Sequence, residues 1–255
     1  FRFHFLNKMA SSSIKALVAS TLITNCFGGY WKLEETWSGA DFFSHFNFIT
    51  SDDPTHGYVD YSSSSSGLAF YDSTTDSIFL KTDTASTPSS SSRGRKAIRL
   101  ESITRYDTGL FIFDAVHIPY GCGVWPAFWT FGPSWPDNGE IDVIEEVNDA
   151  SYTGHTLHTS NNCDFTSNDP SSQMEGTWSY GQSAKATNCW VNDPEQYTNQ
   201  GCSVRGRTGT FGSSWNSGGG GVAILLLDKS EVNGIKIWMK KRSNIPDIIY
   251  SSEIT

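Results

Sequence analysis

Carboxylates alternate with branched apolar residues in one segment of this 255-residue chain, residues 138–148 (NGEIDVIEEVN). Successive side chains of a β-strand point to opposite faces, so Glu140 and Asp142 would share one face of such a strand. Strict alternation would send Glu145 to the other, apolar face. A one-residue β-bulge near residues 143–144 would shift the phase and return Glu145 to the acidic face, and bulges are common beside active sites.

Three carboxylates on one strand face are costly, because like charges at close range raise the pKa of at least one of them. Retaining glycoside hydrolysis uses two neighbouring carboxyl groups about 5–5.5 Å apart, one ionised as the nucleophile and one protonated as the acid. Asp142, between Glu140 and Glu145, could separate their pKa values by sharing a proton with the nucleophile. A calcium site built from oxygen ligands and a simple solvated acidic face are the two alternatives.

Three tryptophans precede the acidic segment, within the stretch 125–136 (WPAFWTFGPSWP). Sugar rings present apolar C–H faces that stack on indole, and the indole N–H can also donate a hydrogen bond. Trp125 and Trp129 would share a face if this stretch is a strand, although at least one aromatic residue here is expected in the core. Trp135 lies in the connection to Glu140 and is the best candidate for stacking on a sugar.

Two polar residues near the acidic segment are candidates for substrate hydrogen bonds. His158 belongs to a predicted strand, residues 156–159 (TLHT), in which Leu157 would face the core and His158 the polar side, against the carboxylates or a substrate hydroxyl. Asn148, at the end of the acidic segment, could act in a similar way.

The rest of the chain predicts many short strands and almost no helix. Apolar or alternating segments at residues 58–61, 109–116, 221–227 and 235–239 are separated by turns rich in Gly, Pro and Ser. This pattern is typical of an all-β sandwich or barrel. We expect one domain from about residue 29 onward.

Composition and charge exclude several classes of partner. Lys and Arg number 18 against 27 Asp and Glu, which gives a formal net charge of −9. A chain this acidic repels nucleic acid and anionic membrane surfaces, so neither is expected as a partner. An aromatic content of 14% is far too high for a disordered chain.

Residues 1–28 are predicted to lie outside the folded domain. Met9 is followed by Lys15, by the apolar stretch 16–23 and by small residues up to Gly29, an order typical of a secretory signal peptide. Residues 1–8 would then be an upstream extension, and the protein would be secreted. An N-terminal core strand or helix is the alternative.

The cysteine pattern is consistent with export. The chain has five cysteines, at positions 26, 122, 163, 189 and 202. Cleavage near Gly28 would leave four, which is compatible with two disulfide bridges in an oxidising compartment. No C-x-x-C spacing occurs, which argues against a zinc site.

Residues 139–145 (GEIDVIE) resemble the signature of glycoside hydrolase family 16 in its laminarinase-type, β-bulged form. Much of the chain beyond residue 30 is also similar to fungal endo-β-1,3(4)-glucanases of that family. The similar segments are residues 41–46, 53–61, 125–129, 156–159, 218–222 and 235–238.

The resemblance implies a concanavalin A-like β-jelly-roll sandwich with a sugar-binding cleft across its concave sheet. It also implies retaining hydrolysis of β-1,3-glucans such as laminarin, with mixed-linkage β-1,3-1,4-glucans left open. By matching position, Glu140 would be the nucleophile, Glu145 the acid/base and Asp142 the assisting carboxylate. The three tryptophans named above and His158 would lie in or near the cleft.

The chain departs from these relatives at its C-terminus. They usually continue for several strands past the segment that resembles residues 245–248, so residues 29–255 are expected to form a catalytic domain without its last strands. A non-catalytic glucan-binding jelly roll, an inactive fragment and a wall-remodelling transglycosylase are the alternatives. We expect a monomer that binds β-glucan without a cofactor or a catalytic metal, and a structural calcium ion is left open.

Overall fold

The computed structural model describes residues 2–9, 30–229 and 234–254, and its regular structure is almost entirely β. The strands of these ranges, in chain order, are β1 Arg2–Met9, β2 Tyr30–Trp37, β3 Phe46–Ile49, β4 Val59–Tyr61, β5 Ala69–Asp72, β6 Ser77–Leu80, β7 Arg95–Ala97, β8 Arg99–Ser102, β9 Gly109–Ala115, β10 Ala127–Phe131, β11 Glu140–Glu145, β12 Gly154–His158, β13 Thr177–Trp178, β14 Cys202–Arg205, β15 Gly221–Asp228, β16 Gly234–Lys241 and β17 Glu253–Ile254.

Helical structure in the same ranges is short. The 3₁₀ segments are Gly39–His45, Ser64–Ser66, Pro170–Gln173, Arg242–Asn244 and Asp247–Tyr250, and one α-helix, α1, spans Gly212–Asn216. None of the described helices is long and apolar enough to cross a membrane. The apolar stretch 16–23 and Cys26, which the sequence assigns to a leader, lie outside the described residues.

The chain divides into two compact units. The first contains Phe1–Phe113, Leu226–Gly234 and Pro246–Thr255, and the second contains Asp114–Leu225 and Ile235–Ile245.

The first unit is built on antiparallel strands. β2 pairs with β1 on one side and with β17 on the other, and β9 lies next to β1. Three further two-stranded sheets complete it: β3 with β8, β5 with β6, and the parallel pair β4 with β7.

The N-terminal strand β1 differs from the expectation that residues 1–8 precede the fold. Phe3 and Phe5 are buried, and Phe3 stacks on Trp37 with ring centroids 4.7 Å apart. Gly109 approaches β1 so closely that a Cβ there would lie 2.2 Å from the Phe5 ring. The alternation of aromatic and polar residues in this segment is a strand pattern, and here the buried aromatic side chains place β1 in the core of the first unit.

The second unit contains a five-stranded antiparallel sheet in the order β10-β11-β12-β14-β13. It also contains most of β15 and β16, which pair with each other in a different sheet. Val222 and Leu225 of β15 are fully buried, as expected for a continuous apolar strand.

One disulfide lies beside this sheet. Cys189 and Cys202 are bridged, and both pack with Trp178 in a small buried cluster that Cys163 also contacts. Cys122 and Cys163 are free thiols. The four cysteines after residue 28 therefore form one disulfide bridge, whereas their even number suggested two.

Candidate active site

Strand β11 carries the carboxylates, between β10 and β12 in the five-stranded sheet of the second unit. Glu140 lies opposite His158 of β12, and Asp142 lies opposite Trp129 of β10. Because directly opposed residues of paired strands project from the same face, these four side chains share one side of the sheet.

The pairing of β11 is interrupted by a β-bulge at Val143. Asp142 lies opposite Thr156 and Glu145 opposite Gly154, so β11 advances three residues while β12 advances two. The extra residue, Val143, is fully buried. The bulge that the sequence required is therefore confirmed, and it returns Glu145 to the face that carries Asp142.

The three carboxyl groups are partly withdrawn from water, which raises all three pKa values. Asp142 is only 1% exposed, and burial raises its pKa to about 7. Burial, followed by the negative charge of Asp142, raises the pKa of Glu140 to about 6 and that of Glu145 to about 7. Each of the three carboxyl groups therefore holds its proton closer to neutral pH than a free carboxyl group does.

His158 faces this group from β12. Its Nε2 lies 3.1 Å from Oδ2 of Asp142. Burial lowers the pKa of His158, and the charges of Glu140 and Glu145 oppose that shift. The imidazole therefore tends to stay neutral beside the carboxylates, on the side that its strand position predicted.

Each glutamate accepts a hydrogen bond from its own tryptophan. The indole N–H of Trp135 donates to Oε2 of Glu140, and that of Trp125 donates to Oε1 of Glu145 at 2.9 Å. Each bond lowers the pKa of its glutamate, opposing the effect of burial. Trp135 is 45% exposed and Trp125 is 62% exposed, so both rings also offer a free apolar surface beside the carboxylates.

Trp129 has a different setting from the other two tryptophans. It lies on β10, is half-buried and stacks on Phe131, with ring centroids 4.9 Å apart. Phe131 itself lies opposite Glu140 and is 39% exposed, so it adds an aromatic surface that the sequence reasoning had not selected.

Asn148 has its amide oxygen engaged by the protein. Its Oδ1 accepts a hydrogen bond from the backbone N–H of Gly123 at 2.9 Å, and its backbone bonds Gly121 and Val124. Its φ of 62° is a left-handed conformation that Asn tolerates better than most residues. Asn148 therefore holds the loop before Trp125 through hydrogen bonds within the protein. The sequence had instead suggested that its side chain would bond the substrate.

Sequence reasoning also missed a row of hydroxyl groups that continues from Asp142 across the sheet. Thr156 lies opposite both Asp142 and Ser203, and its hydroxyl donates to Oγ of Ser203 at 3.2 Å. The hydroxyls of Ser203 and Ser179 are 3.3 Å apart. Polar alternation along β12 and β14 is visible in the sequence, but only the register between strands shows that these residues form one row.

Within the described part of the chain, Glu140, Asp142 and His158 form a group that could hold a cation. One ligand atom from each lies within 4.8 Å of the others. Carboxylate and imidazole groups suit several divalent metals. A hydrogen bond joins the carboxyl groups of Glu140 and Asp142, and Glu140 also accepts one from Trp135. Oδ2 of Asp142 and Nδ1 of His158 are buried without a hydrogen-bond partner among the described residues.

Comparison with known proteins identifies the family. Residues 46–255 match the family model described as the XgeA-like catalytic domain of glycoside hydrolase family 16 (GH16). The chain therefore belongs to GH16.

Curated fungal relatives agree with this assignment. A probable glycosidase of Schizosaccharomyces pombe is 41% identical over 87% of this chain and 50% of its own length. An endo-1,3(4)-β-glucanase of Emericella nidulans is 37% identical over 85% of this chain and 33% of its own length. The chain thus spans half, or less, of the length of these relatives.

Solved structures support the same family and fold. A crystal structure of an elongating GH16 β-1,3-glucosyltransferase is 40% identical, with a TM-score of 0.74 over 88% of this chain and 71% of its own. Laminarinase 16A of Phanerochaete chrysosporium, with two β-glucans in its donor and acceptor sites, is 33% identical, with a TM-score of 0.75 over 89% of this chain and 74% of its own. The fold is the jelly roll of these laminarinases, as the resemblance implied.

Proposed function

We propose that this protein is a retaining endo-β-glucanase that cleaves β-1,3-glucans, with mixed-linkage β-1,3-1,4-glucans as a second substrate class. The observation that carries the proposal is the bulge at Val143, which brings Glu140 and Glu145 to one face of β11 with Asp142 between them. The names of the fungal relatives, endo-1,3(4)-β-glucanases, support the choice of substrate.

The proposed reaction has two displacements. In the first, the carboxylate of Glu140 attacks the anomeric carbon while Glu145 gives its proton to the departing glycosidic oxygen. In the second, Glu145 removes a proton from water as the water oxygen attacks the anomeric carbon, and the bond between that carbon and the carboxylate of Glu140 breaks. Their pKa values of about 6 and about 7 support this division of roles, because the nucleophile must be ionised when the acid is protonated.

We assign supporting roles to the residues around the pair. Asp142 would share a proton with Glu140 as the charge on the nucleophile changes, and His158 would orient Asp142 through its Nε2 contact. Trp125 and Trp135, with exposed rings beside the carboxylates, would stack on the sugar units that flank the scissile bond.

Hydrolysis of laminarin and of lichenan by the full chain tests the proposal. Wild type should release reducing sugar, and Glu140→Gln and Glu145→Gln should each abolish the release. Glu146→Gln is the matched control, because this neighbouring carboxylate bonds the backbone N–H of Val147 instead of joining the row. Binding of glucan without any release would favour the glucan-binding alternative.

Transglycosylation is a second candidate, favoured by the 40% identity to the elongating β-1,3-glucosyltransferase. The same two glutamates would act, with the hydroxyl of a second glucan chain replacing water in the second displacement. Mass spectrometry of the products from one laminari-oligosaccharide separates the two outcomes. Products longer than the substrate would identify a transferase, and only shorter ones a hydrolase.

We also propose that the protein acts outside the cell as a monomer. A polysaccharide substrate of the cell wall is extracellular, and the Cys189–Cys202 disulfide suits an oxidising compartment. Detection of the protein in the culture medium of its host tests secretion, and its elution volume in gel filtration tests the oligomeric state.

A further inference from the structure

The bulge in β11 has its own set of side-chain partners. A bulge disrupts the ladder locally and leaves backbone groups without their regular partners, and buried groups of this kind need a replacement. Two side chains of the neighbouring segment supply it. Nδ1 of His155 donates to the carbonyl oxygen of Val143 at 2.8 Å, and the hydroxyl of Thr153 accepts from the backbone N–H of Glu145 at 3.0 Å.

Both side chains are fixed in place. Thr153 is fully buried, and its own backbone N–H donates to the hydroxyl of Thr210 at 3.0 Å. Burial lowers the pKa of His155, so the ring is neutral and its single N–H is committed to the Val143 carbonyl.

The surrounding glycines leave room for this arrangement. A Cβ at Gly206 would lie 3.1 Å from the carbonyl oxygen of Thr153 and 3.2 Å from Nε2 of His155. A Cβ at Gly154 would lie 3.1 Å from the carbonyl oxygen of Glu145. The absence of a side chain at Gly206 and Gly154 thus lets the backbone approach the bulge and its two side-chain partners closely.

We propose that His155 and Thr153 are positioning residues for Glu145. One bonds the bulge residue Val143 and the other bonds Glu145 itself, so together they set the direction in which the Glu145 carboxyl projects. Glu140 precedes the bulge and does not depend on them. The inference rests on the proposed function, in which Glu145 protonates the leaving group.

Misdirection of Glu145 should change the rates on two kinds of substrate to different extents. If only Glu145 is misdirected, the step that suffers is protonation of a poor leaving group, as in a β-glucan. A dinitrophenyl β-laminaribioside has a leaving group that departs without a proton, so its kcat/KM reports attack by Glu140 alone. A general structural role for His155 and Thr153 would instead lower both activities together.

The test compares kcat/KM for laminarin and for the dinitrophenyl glycoside in paired variants. Thr153→Val and His155→Leu remove the bonds, whereas Thr153→Ser keeps the hydroxyl and His155→Asn keeps a donor near the Nδ1 position. Thr177→Val, on the exposed edge strand β13 of the same sheet, is the matched control.

Thr153→Val and His155→Leu should lower kcat/KM on laminarin about 10- to 100-fold, the usual cost of a small misplacement of a catalytic group, and the aryl glycoside much less. In the pH profile of kcat/KM on laminarin, the alkaline limb, which Glu145 sets, should shift in these two variants, while the acid limb should stay where it is in wild type. Thr153→Ser and His155→Asn should restore the wild-type ratio of the two activities.

Equal losses on both substrates, or a wild-type ratio in Thr153→Val and His155→Leu, would overturn the inference. Thermal unfolding of every variant shows whether a loss of activity follows a loss of stability. If Thr153→Val or His155→Leu does not fold, the test rests on the other of these two variants and on the conservative variants. Failure of Thr153→Ser or His155→Asn to show the wild-type ratio of the two activities would then overturn the inference. A wild-type chain that cleaves neither substrate would overturn the proposed function, and the inference with it.

Discussion

Glu140 and Glu145 are two like residues in unlike surroundings, and the difference should be visible in a pH profile. Their pKa values are about 6 and about 7. The proposed mechanism requires Glu140 ionised and Glu145 protonated, so kcat/KM should fall below about pH 6 as Glu140 takes up a proton and above about pH 7 as Glu145 loses one. Initial rates on laminarin from pH 4 to pH 9 measure both limbs. A profile that is flat between pH 5 and pH 8 would contradict the assignment.

The two indole donors should act on opposite limbs of that profile. Trp135→Phe removes the hydrogen bond to Glu140 and should raise its pKa, moving the acid limb upward by about one to two pH units, since a hydrogen bond to a charged group contributes about 1.5–3 kcal/mol. Trp125→Phe should move only the alkaline limb upward, because its bond goes to Glu145. Each variant is the control for the other, and the same limb moving in both would exclude separate effects.

The arrangement of the candidate site residues on β11 could be predicted because strand alternation is a local property. Glu140 and Asp142 followed from the period of two, and Glu145 required one bulge, which the structure contains. Phe131 and Ser203 could not be predicted in this way, because their place depends on the register with strands distant in sequence. The cross-strand partners of a residue are set by the register of the sheet and not by its neighbours in the chain.

At the scale of whole elements, the disulfide between Cys189 and Cys202 should contribute measurably to stability. It closes a loop with a sequence separation of 13 and fixes β14 beside a buried cluster. Replacing both cysteines by serine should lower the free energy of unfolding by about 2–4 kcal/mol, because the unfolded chain regains the freedom of that loop. Urea denaturation measures the change. Cys122→Ser, at an exposed free thiol, is the control and should leave the midpoint unchanged.

The strands themselves were predictable to different degrees. The continuous apolar runs that became β9 and β15 were recognised, because a strand buried on both faces has few polar residues to interrupt it. The strand β1 was overlooked, although Phe3 and Phe5 alternate with polar residues, because Met9 suggested a translation start. The parallel pairing of β4 with β7 has no local signal, since 33 residues separate Tyr61 from Arg95.

For the molecule as a whole, the carboxylate row should make stability depend on pH. Burial raises the pKa values of Glu140, Asp142 and Glu145 in the folded state above their unfolded values. Between those values the folded chain binds more protons than the unfolded chain, so the free energy of unfolding should fall as pH rises from about 4.5 through about 7. The unfolding temperature should therefore be higher at pH 5 than at pH 8.

Asp142→Asn isolates the contribution of the row to this pH dependence. Asparagine has nearly the same shape and carries no charge, so the variant should lose less stability between pH 5 and pH 8 than wild type does. In a chain of this size each kcal/mol corresponds to about 2–4 °C in the unfolding temperature, which calorimetry resolves. Asp137→Asn, in the turn before β11, is a control that should keep the wild-type slope. If Asp142→Asn also kept that slope, the pH dependence would have to come from other groups. Ionisation of Asp142 would then change the free energy of unfolding very little.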